Sequence, residues 1–205
     1  MKYEKELVIA TYNLDKRREI ENLLSGLNIK IRTLLDFSDL PEIKEEGLTF
    51  EENALKKALL CARWTKLLSL ADDSGLVVDY LQGKPGVYSA RFAGREATYE
   101  ENNRKLLSLL EGLPYNKRKA KFVCCIALAE PKGLIKLVKG TCSGKIAKEI
   151  RGDYGFGYDP VFIPYGYSKT FAELGGRIKD KISHRSRALR KIKRFIVEYF
   201  EKYSQ

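Results

Sequence analysis

Leu7-Val8-Ile9-Ala10-Thr11-Tyr12-Asn13-Leu14-Asp15-Lys16 begins with four apolar residues and passes into a polar loop, after which Ile20, Leu23, Leu24 and Leu27 recur at helical spacing. That pattern reads as a strand, a loop and a helix. Ile29 to Leu35 reads as a second strand, and Leu40 to Gly47 as an acidic loop. From Phe50 to Leu68 a single helical face carries Ala54, Ala58, Cys61, Ala62, Thr65 and Leu68. Strand character returns at Ser69-Leu70-Ala71 and again at Leu76-Val77-Val78. Thr98-Tyr99-Glu100-Glu101 has the form of a capping box and opens a helix through Leu106, Leu107 and Leu110. Ala120 to Ala129 and Leu134 to Val138 flank Glu130-Pro131-Lys132-Gly133, a hairpin signal. The last helix runs from Ser183 to Tyr203, with Leu189, Ile192, Ile196 and Tyr199 inward. Strands and helices alternate early and an antiparallel pair comes late, so the expected fold is α/β, a mixed sheet with flanking helices. A single domain over residues 1–205, with two lobes, is expected.

Composition narrows the function. The 205 residues include 44% hydrophobic and 32% charged side chains, which describes a globular protein with a core and not a disordered chain. No apolar stretch reaches the roughly 20 residues a membrane helix needs. Met1-Lys2-Tyr3-Glu4-Lys5-Glu6 has no apolar segment of the signal-peptide kind, so a cytoplasmic protein with no membrane partner is expected. Cys61, Cys124, Cys125 and Cys142 lack zinc-ligand spacing and read as reduced core thiols; Cys124 and Cys125, as neighbours in a strand, should face opposite sides. Lys and Arg outnumber Asp and Glu by 38 to 27, a net charge of +11 that suits anionic partners. Much of the excess is clustered near the C-terminus (Arg185, Arg187, Arg190, Lys191, Lys193, Arg194), where it also fits the solvated face of an amphipathic helix.

Within so basic a chain, Ala71-Asp72-Asp73-Ser74-Gly75-Leu76 is the exception. Adjacent carboxylates at the end of a buried strand repel unless a positive charge sits between them, and a hard cation such as Mg2+ supplies one. Gly75 would let the backbone turn sharply or approach a ligand there. In the loop at Thr11-Tyr12-Asn13, Thr11 and Asn13 offer hydrogen bonds and Lys16 a point charge for phosphate, although Thr and Asn are equally ordinary helix caps. Glu42, Glu45 and Glu46 form an acidic loop from which one residue could join Asp73 on a metal; a solvated turn accounts for the others. Gly152 to Pro160 holds Phe156 and Tyr158, whose flat faces suit an aromatic base, beside Asp159 as an acceptor; an aromatic hairpin tip filling the core fits equally well. Lys179, Ser183, the lone histidine His184 and Arg185 gather where the last helix starts, with Ser183 also a natural cap.

Taken in order, these segments resemble the Ham1/inosine triphosphatase family. The resemblance rests on Ala10-Thr11-Tyr12-Asn13 with Lys16, Thr49-Phe50-Glu51-Glu52-Asn53-Ala54 with Lys57-Ala58, and Ala71 to Leu76. Pro85 to Phe92, Gly155-Phe156-Gly157-Tyr158-Asp159-Pro160, Lys169 to Glu173 and Ser183-His184-Arg185 complete it. It implies an elongated α/β fold with a cleft between two lobes, and hydrolysis of ITP, dITP and XTP to the monophosphate plus pyrophosphate. It also implies a Mg2+ cofactor, a homodimer and a role in clearing deaminated purines from the nucleotide pool. Carried onto this chain, it makes Thr11, Tyr12, Asn13 and Lys16 the phosphate loop, Asp73 the proton acceptor and a metal ligand, and Ser74 a substrate contact. Phe156, Gly157, Tyr158 and Asp159 would hold the base, with Lys179, His184 and Arg185 completing the pocket. The second metal carboxylate falls on Glu42 by its Leu40-Pro41-Glu42 context, with Glu45 the alternative.

Two departures stand out. Tyr12 takes the place of a glycine common in the family, and Gly175-Gly176-Arg177-Ile178-Lys179-Asp180 differs from the acidic segment usual before Ser-His-Arg. Lys179 is therefore placed by counting back from His184, and Lys181 is its alternative. A rival reading is a basic nucleic-acid-binding module. It leaves the Asp72-Asp73 pair without a purpose and lacks an interleaved basic-aromatic platform, so no specific nucleic-acid binding is expected.

Overall fold

Leu7, Val8 and Ile9 are wholly buried because the strand they form, β1 (Glu6–Ile9), has parallel neighbours on both sides, β2 (Lys30–Thr33) and β3 (Leu68–Val78). Parallel partners need long crossovers, supplied here by helices α1 (Leu14–Leu24) and α2 (Phe50–Thr65). The computed structural model describes residues 5–37, 40, 41 and 43–202. Three further strands, β4 (Lys119–Glu130), β5 (Gly133–Ile146) and β6 (Phe162–Pro164), complete a six-stranded sheet in the order β2-β1-β3-β4-β5-β6. Only Pro131 and Lys132 join β4 to its neighbour β5, a connection that permits an antiparallel pair alone, and β6 pairs antiparallel with β5. The sheet is thus mixed, as expected. Among the described residues the remaining α-helices are α3 (Tyr99–Leu109), α4 (Phe171–Leu174), α5 (Gly176–Ile182) and α6 (His184–Lys202).

Local chemistry sets the helix starts. The Asn13 side chain accepts from the Lys16 N–H at 2.9 Å, and Thr49/Glu52, Thr98/Glu101 and Thr170/Glu173 are reciprocal capping boxes. Each such cap contributes about 1 kcal/mol. Ser183 caps α6 by accepting from the Ser186 N–H at 3.2 Å.

Several boundaries differ from the sequence reading, among them the end of β5, which runs on to Ile146 past the expected Val138. The second strand is shorter and gives way at Leu34–Asp36 to a single 3-10 turn, with Asp36 accepting from the Thr33 N–H. The second helix ends at Thr65, where Lys66 takes a left-handed conformation (φ 61°), so Leu68 belongs to the sheet. Most consequentially, β3 does not break at Asp72-Asp73: it runs unbroken from Leu68 to Val78, and Gly75 makes no turn. β1 pairs with β3 only as far as Leu70, and β4 borders β3 on its other side.

The chain divides into two compact units. The first takes the residues up to Asp73, Cys124–Gly140 and those from Arg187 onward; its core gathers Leu7, Ile9, Ile20, Leu24, Leu70, Ile126, Leu189, Ile192 and Ile196. The second takes Ser74–Val123 and Thr141–Ser186; Leu76, Val78, Leu106, Leu110, Phe122, Tyr158, Phe162 and Phe171 form its core.

Every residue from Phe122 to Ala129 is buried, so β4 lacks polar alternation because both its faces are covered. Cys124 and Cys125 do face opposite sides: the first packs in the first unit's core, and the second lies beside Glu51. All four cysteines are buried, and none is in a disulfide. Burial, with the Glu51 charge, pushes the Cys125 thiol up to about 12. Among the described residues no helix is long and apolar enough to cross a membrane.

Candidate active site

In the first unit, Asp72 and Asp73 are adjacent in the middle of β3, so the pleat turns their side chains to opposite faces. Both are buried, at 1% and 4% exposure. The two carboxylates therefore do not form one acidic end-of-strand pair. On one face Lys16 Nζ lies 3.4 Å from Asp72 Oδ2, and Cys124 Sγ is 4.0 Å from the same oxygen. On the other, Asn53 of α2 donates from Nδ2 to Asp73 Oδ2 at 2.9 Å. The Asn53 Oδ1 accepts from the Gly47 N–H at 2.8 Å, which ties the acidic loop to the same side chain. A side chain at Gly47 would drive its Cβ to 2.7 Å from that oxygen.

Lys57, one turn further along α2, is buried and donates to the Asp72 carbonyl at 2.6 Å and to the Glu45 carboxylate. Two fields of opposite sign result. Burial holds the Asp73 carboxyl above the ordinary carboxylate range despite the pull of Lys16 and Lys57, and the Glu45 charge pushes the same way as burial. Burial also acts to raise Glu45, but the charge and hydrogen bond of Lys57 outweigh it and hold Glu45 below that range. Glu42 lies outside the described residues; among the described residues of the acidic loop, Glu45 joins this network.

Among the described residues no three acidic, His or Cys side chains gather into a metal cage. That donor set still fits Mg2+, which is held by one or two carboxylates together with substrate phosphates. A buried Asp73 that feels the charge of Glu45 has the chemistry for it.

Ahead of α1, Thr11 Oγ1 accepts from the Asn13 N–H at 3.2 Å, so both oxygens proposed for phosphate also brace the local turn. Tyr12 is 56% exposed, and its ring displaces nothing in the core. Lys16 follows on the first turn of α1 and is the cation that faces Asp72.

In the second unit, Phe156, Lys179 and Arg185 are brought together. Lys179 Nζ stands 4.4 Å from the centre of the Phe156 ring and Arg185 Cζ 5.7 Å from it. Lys179 and Asp159 are both buried and form an ion pair. Asp159 Oδ2 also accepts from the Phe156 N–H at 2.9 Å, which closes the Gly155–Asp159 turn on itself. Gly155 is required there: it has φ +86°, and a Cβ would meet Asp159 Oδ2 at 2.2 Å. Lys181 is exposed, and it is Lys179 that reaches this cluster. Arg185, only 1% exposed, donates from Nη2 to Ser74 Oγ at 2.8 Å. His184 lies flat on Phe122, ring centres 4.6 Å apart and planes 9° from parallel.

Tyr158 behaves differently from its neighbour. Its ring fills the second unit's core and its hydroxyl donates to the Ser89 carbonyl at 2.9 Å, so the half-buried Phe156 is the ring of the two with an accessible face. Burial raises the Tyr158 hydroxyl far above the ordinary tyrosine range.

Five residues escaped sequence reasoning as individual site or scaffold elements. Asn53 and Lys57 occupy the buried face of α2 among Phe50, Ala54, Ala58 and Cys61, and Asn102 and Asn103 occupy that of α3 with Leu106. The available signal was a polar residue at an apolar position of a helical stripe, since a buried polar group must find a partner. Arg118 had no such signal. It is buried and clamps three carbonyls, those of Leu110, Ile146 (2.9 Å) and Ala147 (2.5 Å).

The Ham1 family model matches residues 7–195. A dITP/XTP pyrophosphatase of Desulforamulus reducens is 50% identical over 91% of this chain and 92% of its own length. Another of Geobacter sulfurreducens is 53% identical over 91% of this chain and 94% of its own. Among solved structures, a HAM1 protein from Coxiella burnetii superposes with a TM-score of 0.85 at 42% identity, covering 95% of this chain and 99% of that one. With a family match over nearly its whole length and relatives at half identity, this chain belongs to the Ham1 family.

Proposed function

We propose that this protein hydrolyses dITP, XTP and ITP to the nucleoside monophosphate and pyrophosphate, and so removes deaminated purines from the nucleotide pool. Relatives named dITP/XTP pyrophosphatase at about half identity support the reaction class. The observation that carries the chemistry is Asp73, buried, gripped by Asn53 and held above the ordinary carboxylate range.

Such a carboxylate is a stronger base at neutral pH than an exposed one. Asp73 takes a proton from water as the water oxygen bonds to the α-phosphorus. The bond from the α-phosphorus to the bridging oxygen breaks, and pyrophosphate leaves with that oxygen. Phosphoryl chemistry of this kind depends on positioning and charge compensation more than on covalent help. Lys16 and the Thr11–Asn13 turn bind the phosphates; Phe156, Gly157 and Asp159 hold the base, with Tyr158 bracing that loop from the core and Ser74, Lys179, His184 and Arg185 around it. Mg2+ would be held by Asp73 with Glu42 or Glu45, and when bound it supplies charge neutralisation and a more acidic water. The resemblance further supports a homodimer, and the composition supports a cytoplasmic protein.

Turnover of dITP in ¹⁸O-labelled water tests the site of attack. The label is expected in dIMP; label in pyrophosphate, or release of orthophosphate, contradicts it.

A further inference from the structure

Asn103 sits on the buried face of α3 in the company of Leu106, a position that a core would ordinarily give to an apolar side chain. It is 2% exposed, and its Nδ2 donates to the carbonyl of Gly157 at 2.8 Å. The amide orientation is fixed by that bond, because a carbonyl accepts only from the amine end. Its Oδ1 is buried and makes no hydrogen bond among the described residues. A half-satisfied buried amide is a poor choice for stability, since an unmet polar group in the interior is costly. The bond to Gly157 is what the amide does there.

Gly157 lies in the tightest part of the loop. Its φ is +61°, that of Gly155 is +86°, and the turn closes through Asp159 onto the Phe156 N–H. The same helix meets the loop at a second point, where Tyr99 at the start of α3 packs against Phe156 with ring centres 6.1 Å apart. Next to Asn103, Asn102 accepts from the Ala93 N–H at 2.7 Å and donates to the Ala90 carbonyl at 3.1 Å. The Ser89 carbonyl beside them takes the Tyr158 hydroxyl, and Ser89 Oγ accepts from the Leu76 N–H at 2.9 Å. Helix α3 is therefore a bar to which the Ser89–Ala93 turn and the Gly155–Asp159 loop are both pinned.

We infer that Asn103 is a positioning residue for recognition of the nucleobase: its bond to the Gly157 carbonyl sets the loop that presents Phe156 and Asp159. The inference rests on reading Gly155–Asp159 as the base-holding loop. Asn103 touches neither phosphates nor base, so its loss should weaken substrate binding and leave the chemical step alone.

The test compares the full-length wild type with Asn103→Ala and Asn103→Leu. For dITP and XTP, KM is expected to rise about tenfold in both variants with kcat within about threefold, the size of effect that follows from loosening a loop without removing a reacting group. Amide hydrogen exchange at Phe156–Asp159 should quicken in the absence of any nucleotide, while Asn103→Leu melts no lower than the wild type. Unchanged KM in a folded variant, or a loss confined to kcat, overturns the inference. If neither variant folds, exchange of the Asn103 side-chain amide protons in the wild type decides: slow exchange supports the bond and fast exchange overturns it. If the wild type hydrolyses neither dITP nor XTP, the pyrophosphatase reading falls, and exchange at Phe156–Asp159 still decides whether Asn103 sets the loop.

Discussion

Asn53 Nδ2 donates to Asp73 Oδ2 at 2.9 Å, and the same side chain, through Oδ1, holds the backbone of Gly47. One buried amide thus fixes the orientation of the carboxylate and the position of the acidic loop. The bond joins α2 to the central strand β3, both rigid elements, which is how a reacting group is held within tenths of an ångström.

Asp73→Asn should keep this bond, because a side-chain amide oxygen still accepts from Asn53. The fold is expected intact, and turnover of dITP should drop by about 10³-fold, within the range for a lost general base. Steady-state kinetics with a thermal melt on the same sample checks both.

The raised proton affinity of Asp73 has a definite sign in pH. Below the ordinary carboxylate value of about 3.9 it is protonated both folded and unfolded, and its contribution to folding is fully present. As pH climbs through its raised folded value that contribution is lost, because burial opposes the charged form. The melting temperature of Asp73→Asn minus that of the wild type should grow with pH across this window and then level off. A difference that shrinks with rising pH contradicts the assignment. In the same window, wild-type turnover should fall as pH drops.

Lys57→Met removes the cation that serves both the Asp72 carbonyl and Glu45. The Glu45 side chain is 37% exposed, so the cost should fall below the ~3–5 kcal/mol of a fully buried pair, at about 1–3 kcal/mol. Denaturant unfolding of Lys57→Met, Glu45→Gln and the double variant measures the coupling, which should vanish if the pair is cosmetic.

Arg118→Met leaves the Leu110, Ile146 and Ala147 carbonyls without their donor. Unmet buried groups cost about 1–3 kcal/mol each, and partial rehydration should keep the total near 2–4 kcal/mol. Turnover per folded molecule should match the wild type, since Arg118 only staples the end of α3 to that of β5. A change in KM with unchanged stability contradicts that role.

How far these features could be read from residues follows from the kind of signal each leaves. The start of the fold was legible because Leu7 to Ala10 and the Ile20-Leu23-Leu24 spacing have distinct periods, and Asn13 caps where a cap was expected. The continuity of β3 was not, because Asp72-Asp73-Ser74-Gly75 looks like a loop and only pairing with strands distant in sequence makes it extended. Asp73, Lys16 and the Phe156–Asp159 loop announced themselves as polar or aromatic residues at strand and loop positions. Asn53, Lys57 and Asn103 were masked by their helices, where amphipathic spacing draws attention to the apolar members of the stripe. Arg118 was illegible in principle: its three acceptors are backbone carbonyls, which any sequence supplies.

The most direct measurement is pyrophosphate release from ITP, dITP, XTP, ATP and GTP, each with Mg2+ and with EDTA. The account predicts release from the first three alone, abolished by EDTA and by Asp73→Asn. Equal release from ATP and GTP, or release that survives EDTA or the loss of Asp73, would contradict it.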